Sequence, residues 1–207
     1  RHLEANKIEK EKDREEKERL REERKAQQEL ERAREKLEKE LGHYRSVLTA
    51  LQSRGDLEGI ARIQASIEAA ESELQQVDFR AANIRAGYVY VISNVGSLGS
   101  DVVKIGMTRR LEPMDRVNEL GDASVPFRFD VHALFFSIDA VGVETMLHQH
   151  FSDARINRVN LRKEFFRAAP SEVLEVLKQH QVEIVEFTPE AAAEEYRLSS
   201  TAAGTPP

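Results

Sequence analysis

Two short segments rich in β-branched and aromatic residues carry three side chains with polar end groups. Tyr88 and Tyr90 alternate with valines, so both phenols lie on one face of a predicted strand. Lys104 lies in the next predicted strand, after a turn that contains Gly96 and Gly99. If the strands pair through this turn, Tyr90 lies beside Lys104, and the ammonium would favour the phenolate. In the structural alternative, both tyrosines cover a helix and Lys104 extends its charge to water.

Glu144 and His148 lie four positions apart, on one face of a predicted helix. A carboxylate and an imidazole at this spacing can both bind a divalent ion, or His148 can support the carboxylate from behind. Alternatively, Glu144 is a solvated helix residue and His148 is a hydrogen-bonded structural group. The chain has no cysteine and no His/Cys cluster, which argues against a structural zinc site.

The segment 155–167, RINRVNLRKEFFR, concentrates positive charge in a protein whose formal net charge is −6. Five basic residues oppose the single Glu164, a local charge of +4. Such a patch predicts contact with a phosphate backbone. Asn157 is as suitable as Asn160 for the polar contact there. The predicted nucleic-acid-binding residues are Arg109, Arg110, Arg155, Arg158, Asn160, Arg162 and Lys163. In the structural alternative the segment is a solvated loop and a strand, anchored by Phe165 and Phe166.

A small α+β domain must position these residues. Its hydrophobic patterns predict strands at 88–93, 102–106 and 129–137. Helices are predicted at 112–120, 139–152 and 170–180. We expect a mainly antiparallel three-stranded sheet flanked by helices, within a domain that spans 81–190. The small and polar residues of 191–207 predict a disordered tail.

A long helical region precedes this domain. Residues 1–29 are almost entirely charged and predict a solvated helical stalk. Apolar residues then recur at spacings of three and four on both sides of a break at Gly55, within 30–80. This pattern predicts a helical hairpin or a coiled coil between chains. We expect residues 1–80 to form an interaction module and to assemble the protein as a homodimer or higher homo-oligomer.

The composition excludes several classes of protein. Without cysteine there is no disulfide framework, which fits a reducing cytoplasm, the expected location. No apolar run is long enough to span a membrane, and no signal peptide is visible. The chain begins at Arg1 without a methionine, so we expect it to be a fragment of a longer protein.

The chemistry-bearing residues occur in an order that resembles the GIY-YIG nucleases. The matching segments are YVY at 88–90 and KIG at 104–106, followed by Arg116 in MDRVNEL, Glu144 in VETMLHQHF and then RKEFF. The match is strong from 85 to 168. It is closest to a phage- and bacterial-type branch in which KIG replaces YIG and a charged helical region precedes the module.

The resemblance implies a role for each matched residue. Tyr90 takes the place of a general base or water-orienting group, while Lys104 and Arg116 steady the scissile phosphate. Glu144 would hold one divalent ion, Mg²⁺ or else Mn²⁺. From composition alone, the more common reading of Arg116 is a surface helix residue paired with Glu112. The predicted catalytic residues are Tyr88, Tyr90, Lys104, Arg116, Glu144 and His148.

Two positions depart from the family pattern. Tyr88 stands where the first motif has its leading glycine, with Gly87 displaced by one, and Lys104 replaces the second tyrosine. The leading hypothesis is a metal-dependent endonuclease that hydrolyses DNA, with defence against foreign DNA as the expected setting and RNA as an open alternative substrate. The second hypothesis is a non-catalytic nucleic-acid-binding or assembly module on a helical scaffold.

Overall fold

The computed structural model describes residues 2–122, 125–184 and 186–202, and it confirms the α+β class. The helices are α1 His2–Arg54, α2 Leu57–Ala82, α3 Val95–Leu98, α4 Pro113–Asp122, α5 Ala140–His150, α6 Pro170–Gln179 and α7 Glu194–Ala202. The strands are β1 Gly87–Ser93, β2 Val102–Thr108, β3 Asp130–Ser137 and β4 Phe165–Arg167. These residues fall into two compact units, Glu22–Ile84 and the rest of the described chain.

Within the described residues the sheet has four strands rather than the predicted three, in the order β3-β1-β2-β4 with every neighbouring pair antiparallel. The additional strand, β4, comes from the end of the basic segment. It is only three residues long and pairs with Val102–Lys104 of β2. Because β2 continues to Thr108, its second half extends beyond β4.

The two faces of the sheet have separate cores. Alternation along β1 directs Val89 and Val91 into the larger core, where they lie with side chains of β2, β3, α5 and α6. Tyr90 and Ile92 belong to the opposite face and pack with Val117 of α4. Because β1 is covered on both faces, nearly all of its residues are buried. Tyr90 is therefore held in a packed environment rather than presented on a solvated face.

The unit Glu22–Ile84 contains the turn predicted at Gly55. Gly55 has φ +71°, a left-handed conformation that suits glycine, and Asp56 caps α2 by accepting a hydrogen bond from the Gly59 N–H. Ion pairs Arg45–Glu71 and Arg34–Asp78 join the two helices in antiparallel order. The helical hairpin is thus formed within one chain. The buried side chains of this unit include Leu30, Leu37, Leu41, Ala70 and Val77.

The prediction of disorder for 191–207 is wrong for the part that the structure describes. Residues Glu194–Ala202 form α7. The ring of Tyr196 packs edge-to-face against Phe127, and the Glu195 carboxylate accepts a hydrogen bond from the Arg128 N–H. A tail whose composition lacks a core of its own is ordered by these contacts. Residues 203–207 lie outside the described residues.

The chain between α6 and α7 is attached to β3 through His132. Its Nδ1 donates to the Thr188 carbonyl at 2.6 Å, and its Nε2 lies 2.8 Å from the Ser93 hydroxyl. Burial lowers the pKa of His132, although the Thr188 carbonyl and the charge of Asp130 act in the opposite direction. The imidazole is therefore a neutral, hydrogen-bonded core group.

Among the described residues, none of the helices combines the length and the apolar character that crossing a bilayer requires.

Candidate active site

The open half of the β2 edge is covered by side chains instead of a strand. His148 of α5 donates from Nε2 to the Ile105 carbonyl at 2.9 Å, and the Glu144 carboxylate accepts from the Met107 N–H. The Ile105 N–H donates to the backbone carbonyl of Glu164, just before β4. Helix α5 and the start of β4 therefore meet at this edge, because its backbone groups need partners.

Tyr90 lies over Gly106, its partner across the β1–β2 pair. A Cβ at position 106 would lie 2.5 Å from the Tyr90 hydroxyl oxygen, so the glycine of the KIG segment makes room for the phenol. Burial raises the pKa of Tyr90, and the Lys104 charge lowers it only in part. The phenol is therefore neutral at neutral pH, and the expectation that Lys104 produces a phenolate is not supported.

Lys104 lies on the same face of the sheet, two residues from Gly106, and is almost completely buried. Its Nζ donates to the Glu164 carboxylate at 3.0 Å and lies 5.2 Å from the centre of the Phe165 ring. Burial by itself lowers the pKa of Lys104. Its neighbours Tyr90 and Glu164, the second of which also accepts its hydrogen bond, outweigh that effect, so the pKa of Lys104 is raised and it remains a cation.

Glu144 has an electrostatic environment that favours a nearby cation. Burial raises its pKa to about 7, and the charge of Glu164 adds to the effect, while Lys104 and the Met107 N–H partly oppose it. An added positive charge at this point would stabilise the ionised carboxylate. Glu144 is thus not the solvated helix residue of the structural alternative.

His148 is neutral and its tautomer follows from its hydrogen bond. Burial lowers its pKa, and the Ile105 carbonyl opposes this only in part. Because a carbonyl oxygen can only accept, Nε2 carries the proton and Nδ1 keeps its lone pair. Donation from one ring nitrogen to a backbone carbonyl is the arrangement that metal-binding histidines adopt.

The ligand atoms of Glu144, His148 and Glu164 all lie within 4.8 Å of one another. Two carboxylates and one neutral imidazole are a chemically suitable donor set for a divalent cation, and the raised pKa of Glu144 indicates a site short of positive charge. The residues present therefore fit the metal that the GIY-YIG resemblance implies.

Arg116 lies near this cluster, whereas Tyr88 contacts β3. Arg116 is half-buried on α4, and its charge contributes to lowering the pKa of both Tyr90 and Lys104, which places it near them. Tyr88 lies at the start of β1, where its ring packs edge-to-face against Phe136 at 5.4 Å. All six predicted catalytic residues therefore lie on β1, β2, α4 or α5 around the sheet.

The basic segment forms a loop whose long side chains partly serve the loop itself. Arg155 donates to the Leu161 carbonyl and stacks on Phe166, while Arg158 donates to the Asp153 carbonyl at 2.8 Å. Arg158, Arg162 and Lys163 are exposed. One guanidinium nitrogen of Arg162 lies 3.6 Å from the Glu16 carboxylate. The predicted positive surface is therefore present, and the loop that carries it is held by its own hydrogen bonds.

The two asparagines of this loop also support its backbone. The Asn157 side chain accepts from the Val159 and Asn160 N–H groups, at 3.1 and 2.7 Å. Asn160 is buried and accepts from the Arg162 N–H at 3.1 Å. These bonds hold a turn, whereas Glu164 is the residue of this segment that joins the charged cluster.

Arg110 is a correction to the predicted phosphate-binding surface. It is only 2% exposed, and its guanidinium makes a bidentate pair with the Glu119 carboxylate, at 3.0 and 2.7 Å. A buried guanidinium with two carboxylate contacts connects β2 to α4 and has no surface to offer a phosphate. Arg109, next to it, is half-buried.

Sequence reasoning missed Glu164, which it treated only as the exception in a basic run. Its position follows from β4, where Phe165 pairs with Lys104. Two features of the sequence could have indicated this role. Glu164 is a single acid directly before the aromatic pair Phe165 and Phe166, and Lys104 is a strand residue that would need an acidic partner if buried.

Comparison with known proteins gives a match for the sheet domain. No curated protein and no solved structure matches the chain. Residues 87–181, from β1 to just after α6, match the T5orf172 domain. That family is associated with GIY-YIG/HNH-like phage endonuclease-type domains, and the match indicates a nuclease-like or DNA-binding domain.

Proposed function

We propose that the domain is a metal-dependent endonuclease of the GIY-YIG type, which hydrolyses DNA phosphodiester bonds. The observation that carries the proposal is the cluster at the β2 edge. There Tyr90 lies over Gly106, and Lys104 pairs with Glu164. The ligand atoms of Glu164 lie within 4.8 Å of those of Glu144 and His148. The T5orf172 match supports a nuclease-like domain without specifying the reaction.

The protein residues have separable roles in hydrolysis. Tyr90 is a neutral buried phenol, so it orients the attacking water through its hydroxyl and does not act as a preformed phenolate base. Lys104 is a cation and Arg116 is a permanent one, and both stabilise the charge that develops on the phosphate. Arg116 also offers the planar fork that binds a phosphate through two hydrogen bonds.

Glu144, Glu164 and His148 would hold the divalent cation. When bound, Mg²⁺ or Mn²⁺ supplies Lewis-acid stabilisation of a phosphate oxygen. The two carboxylates suit either ion, while the imidazole makes the set more favourable to Mn²⁺ than carboxylates alone. The ion would share the Glu164 carboxylate with Lys104.

The test is nicking of supercoiled plasmid with Mg²⁺, with Mn²⁺ and with EDTA. We expect metal-dependent nicking that falls at least about a hundredfold in Glu144→Gln, because a ligand to the ion has lost its charge. Glu175→Gln is the matched control, since Glu175 is an exposed carboxylate on α6 that pairs with Lys178. Binding of Mn²⁺, followed by electron paramagnetic resonance, should weaken in Glu144→Gln and not in Glu175→Gln.

The alternative is a nucleic-acid-binding module without catalysis, and the Lys104–Glu164 ion pair favours it. This pair already satisfies both charges, so the cluster has a stable arrangement without any ion. Wild-type protein that binds DNA but neither nicks it nor binds Mn²⁺ would establish the alternative and end the nuclease proposal.

Assembly through the N-terminal helices completes the proposal, because one site of this kind cuts one strand. The hairpin buries its leucines within the chain. A homodimer would therefore use either the outer surfaces of the hairpin or the part of α1 that precedes the hairpin unit. Light scattering of the full chain and of a chain lacking 1–21 measures this directly, and equal monomer masses would exclude assembly through that segment.

A further inference from the structure

The loop between the short 3-10 helix Ser152–Ala154 and β4 exposes an unusual number of apolar side chains. Eleven large hydrophobic residues are exposed across the described part of the chain, and three of them, Ile156, Val159 and Leu161, lie within six residues of this loop. Val159 and Leu161 are 69% and 64% exposed. Single exposed apolar residues are ordinary, whereas a group on one loop indicates a contact surface.

The loop is held in shape rather than left to collapse. Its backbone is bonded to the Asn157 and Asn160 side chains, and Arg155 donates to the carbonyl of Leu161 itself. The Ile156 N–H donates to the Phe165 carbonyl at 3.0 Å, which fastens the loop to β4. The apolar side chains at its tip are therefore presented in a fixed arrangement, so little order is lost when they are buried by a partner.

The charges beside the apolar tip identify the kind of partner. Arg158, Arg162 and Lys163 are exposed next to Val159 and Leu161, so the partner must have both negative and apolar surface. Nucleic acid has this combination, with phosphates outside and base faces inside. Proteins that bend DNA use the same pairing of cations on the backbone with apolar wedges between base steps.

The position of the loop relates this surface to the cluster at the β2 edge. Leu161, Arg155 and Arg158 line a cavity of about 410 Å³ together with His148, which also belongs to the metal-site set. The chain then runs from Leu161 to Glu164 in three residues. A base displaced by the loop would therefore lie next to the phosphate that the cluster holds.

We propose that Leu161 and Val159 form a wedge that unstacks the bases of duplex DNA beside the scissile phosphate, with the adjoining cavity receiving a displaced base. This inference rests on the proposed nuclease function, since that function supplies the DNA. The wedge predicts a preference for duplex steps that unstack easily, such as pyrimidine–purine steps. This preference would not require a hydrogen bond between a side chain and a base.

The experiment measures the fluorescence of a duplex with repeated 2-aminopurine–thymine pairs, bound by the full chain in EDTA so that no strand is cut. Unstacking raises 2-aminopurine fluorescence. We expect wild-type protein to raise it, and Leu161→Ser to reduce the rise at saturation to less than about half, because a small polar side chain cannot replace the wedge. Leu161→Phe should keep the rise.

The controls separate the wedge from simple binding. Leu198→Ser removes a similarly exposed leucine on α7 and should leave the rise unchanged. Lys163→Ala should weaken binding and its salt dependence, yet keep the full rise at saturation. Circular dichroism confirms that each variant is folded.

Three results would overturn the wedge. If wild-type protein nicks plasmid DNA with metal but does not raise the fluorescence, the wedge is wrong and the nuclease proposal stands. If Leu161→Ser keeps the full rise at saturation, the wedge is also wrong. If wild-type protein does not bind the duplex at all, the wedge is wrong, and plasmid nicking with metal decides the nuclease proposal separately.

Discussion

Two ion pairs of this protein have the same geometry and opposite surroundings. Lys104–Glu164 in the sheet domain and Arg45–Glu71 in the helical hairpin both have a nitrogen–oxygen distance of 3.0 Å. The side chains of the first pair are 9% and 29% exposed, whereas those of the second are 64% and 45% exposed. Distance alone therefore does not distinguish a pair that organises a site from one that decorates a surface.

The difference lies in what happens when one partner is removed. An exposed charge returns to water, so its pair contributes about 0.2–1 kcal/mol. A buried charge has no water to return to, and leaving it alone costs about 3–5 kcal/mol. The fold therefore depends on the buried pair more than on the exposed one. Four variants test how burial affects stability, and they are given from the largest expected effect to the smallest.

The largest effect should come from Glu164→Ala. It leaves Lys104 buried without its carboxylate, and we expect a loss of about 3 kcal/mol in the free energy of unfolding, the low end for a buried pair because Glu164 keeps some exposure. Urea denaturation of wild type and variant measures the loss. Adding Lys104→Met should restore most of the stability, because no buried charge is then left unpaired. If Glu164→Ala costs no more than an exposed pair does, the comparison above is wrong.

The next effect concerns the space under Tyr90. Gly106→Ala would place a Cβ 2.5 Å from the Tyr90 hydroxyl oxygen and 2.7 Å from its ring, so the phenol must move. We expect a loss of about 1–3 kcal/mol, as for other overpacked positions. Gly42→Ala is the matched control, since nothing lies within 4 Å of a Cβ there and alanine favours a helix by about 1 kcal/mol. Unfolding curves in which both variants change stability equally would contradict the crowding.

A third test uses pH to examine His132, a buried group that is hydrogen-bonded to a carbonyl and a hydroxyl. Burial lowers the pKa of His132, so the unfolded chain takes up a proton more readily than the folded one. Its contribution to stability is fully present above about pH 6.5, the ordinary histidine value, and is lost as the pH falls toward the folded pKa. The stability gap between wild type and His132→Gln should therefore narrow on acidification. A gap that is constant between neutral and mildly acidic pH would refute this.

The smallest effect should come from Arg45→Ala. Its guanidinium is exposed, so we expect a loss of about 0.2–1 kcal/mol, reduced further by added salt. Thermal unfolding at low and high salt measures it. A loss that equals that of Glu164→Ala would show that exposure is not what separates the two pairs.

Local pattern was sufficient to predict most of the secondary structure. The predicted strands and helices of the sheet domain lie within about two residues of those observed, because alternation and helical periodicity are properties of adjacent residues. Gly55 marked the hairpin turn for the same reason, since its positive φ is a local requirement. The helical hairpin within one chain was one of two arrangements that the leucine spacing allowed.

Contacts between distant segments were the part that could not be predicted. Glu164 meets Lys104 only because a three-residue strand, β4, pairs with β2 sixty residues earlier in the chain. Arg110 is buried because α4 folds back to bring Glu119 against it. Helix α7 is ordered by Tyr196 and Glu195 against the 127–128 segment. In each case composition describes the segment, and its partner decides the structure.

The shortness of β4 has a consequence for solubility. An unpaired sheet edge is a template on which another copy of the chain can add a strand. Here the Glu144 carboxylate and the His148 ring cover the backbone of Met107 and Ile105, so the side chains proposed for DNA cleavage also prevent edge-to-edge growth. A variant that truncates either side chain would therefore expose backbone of β2 as well as remove a candidate metal ligand.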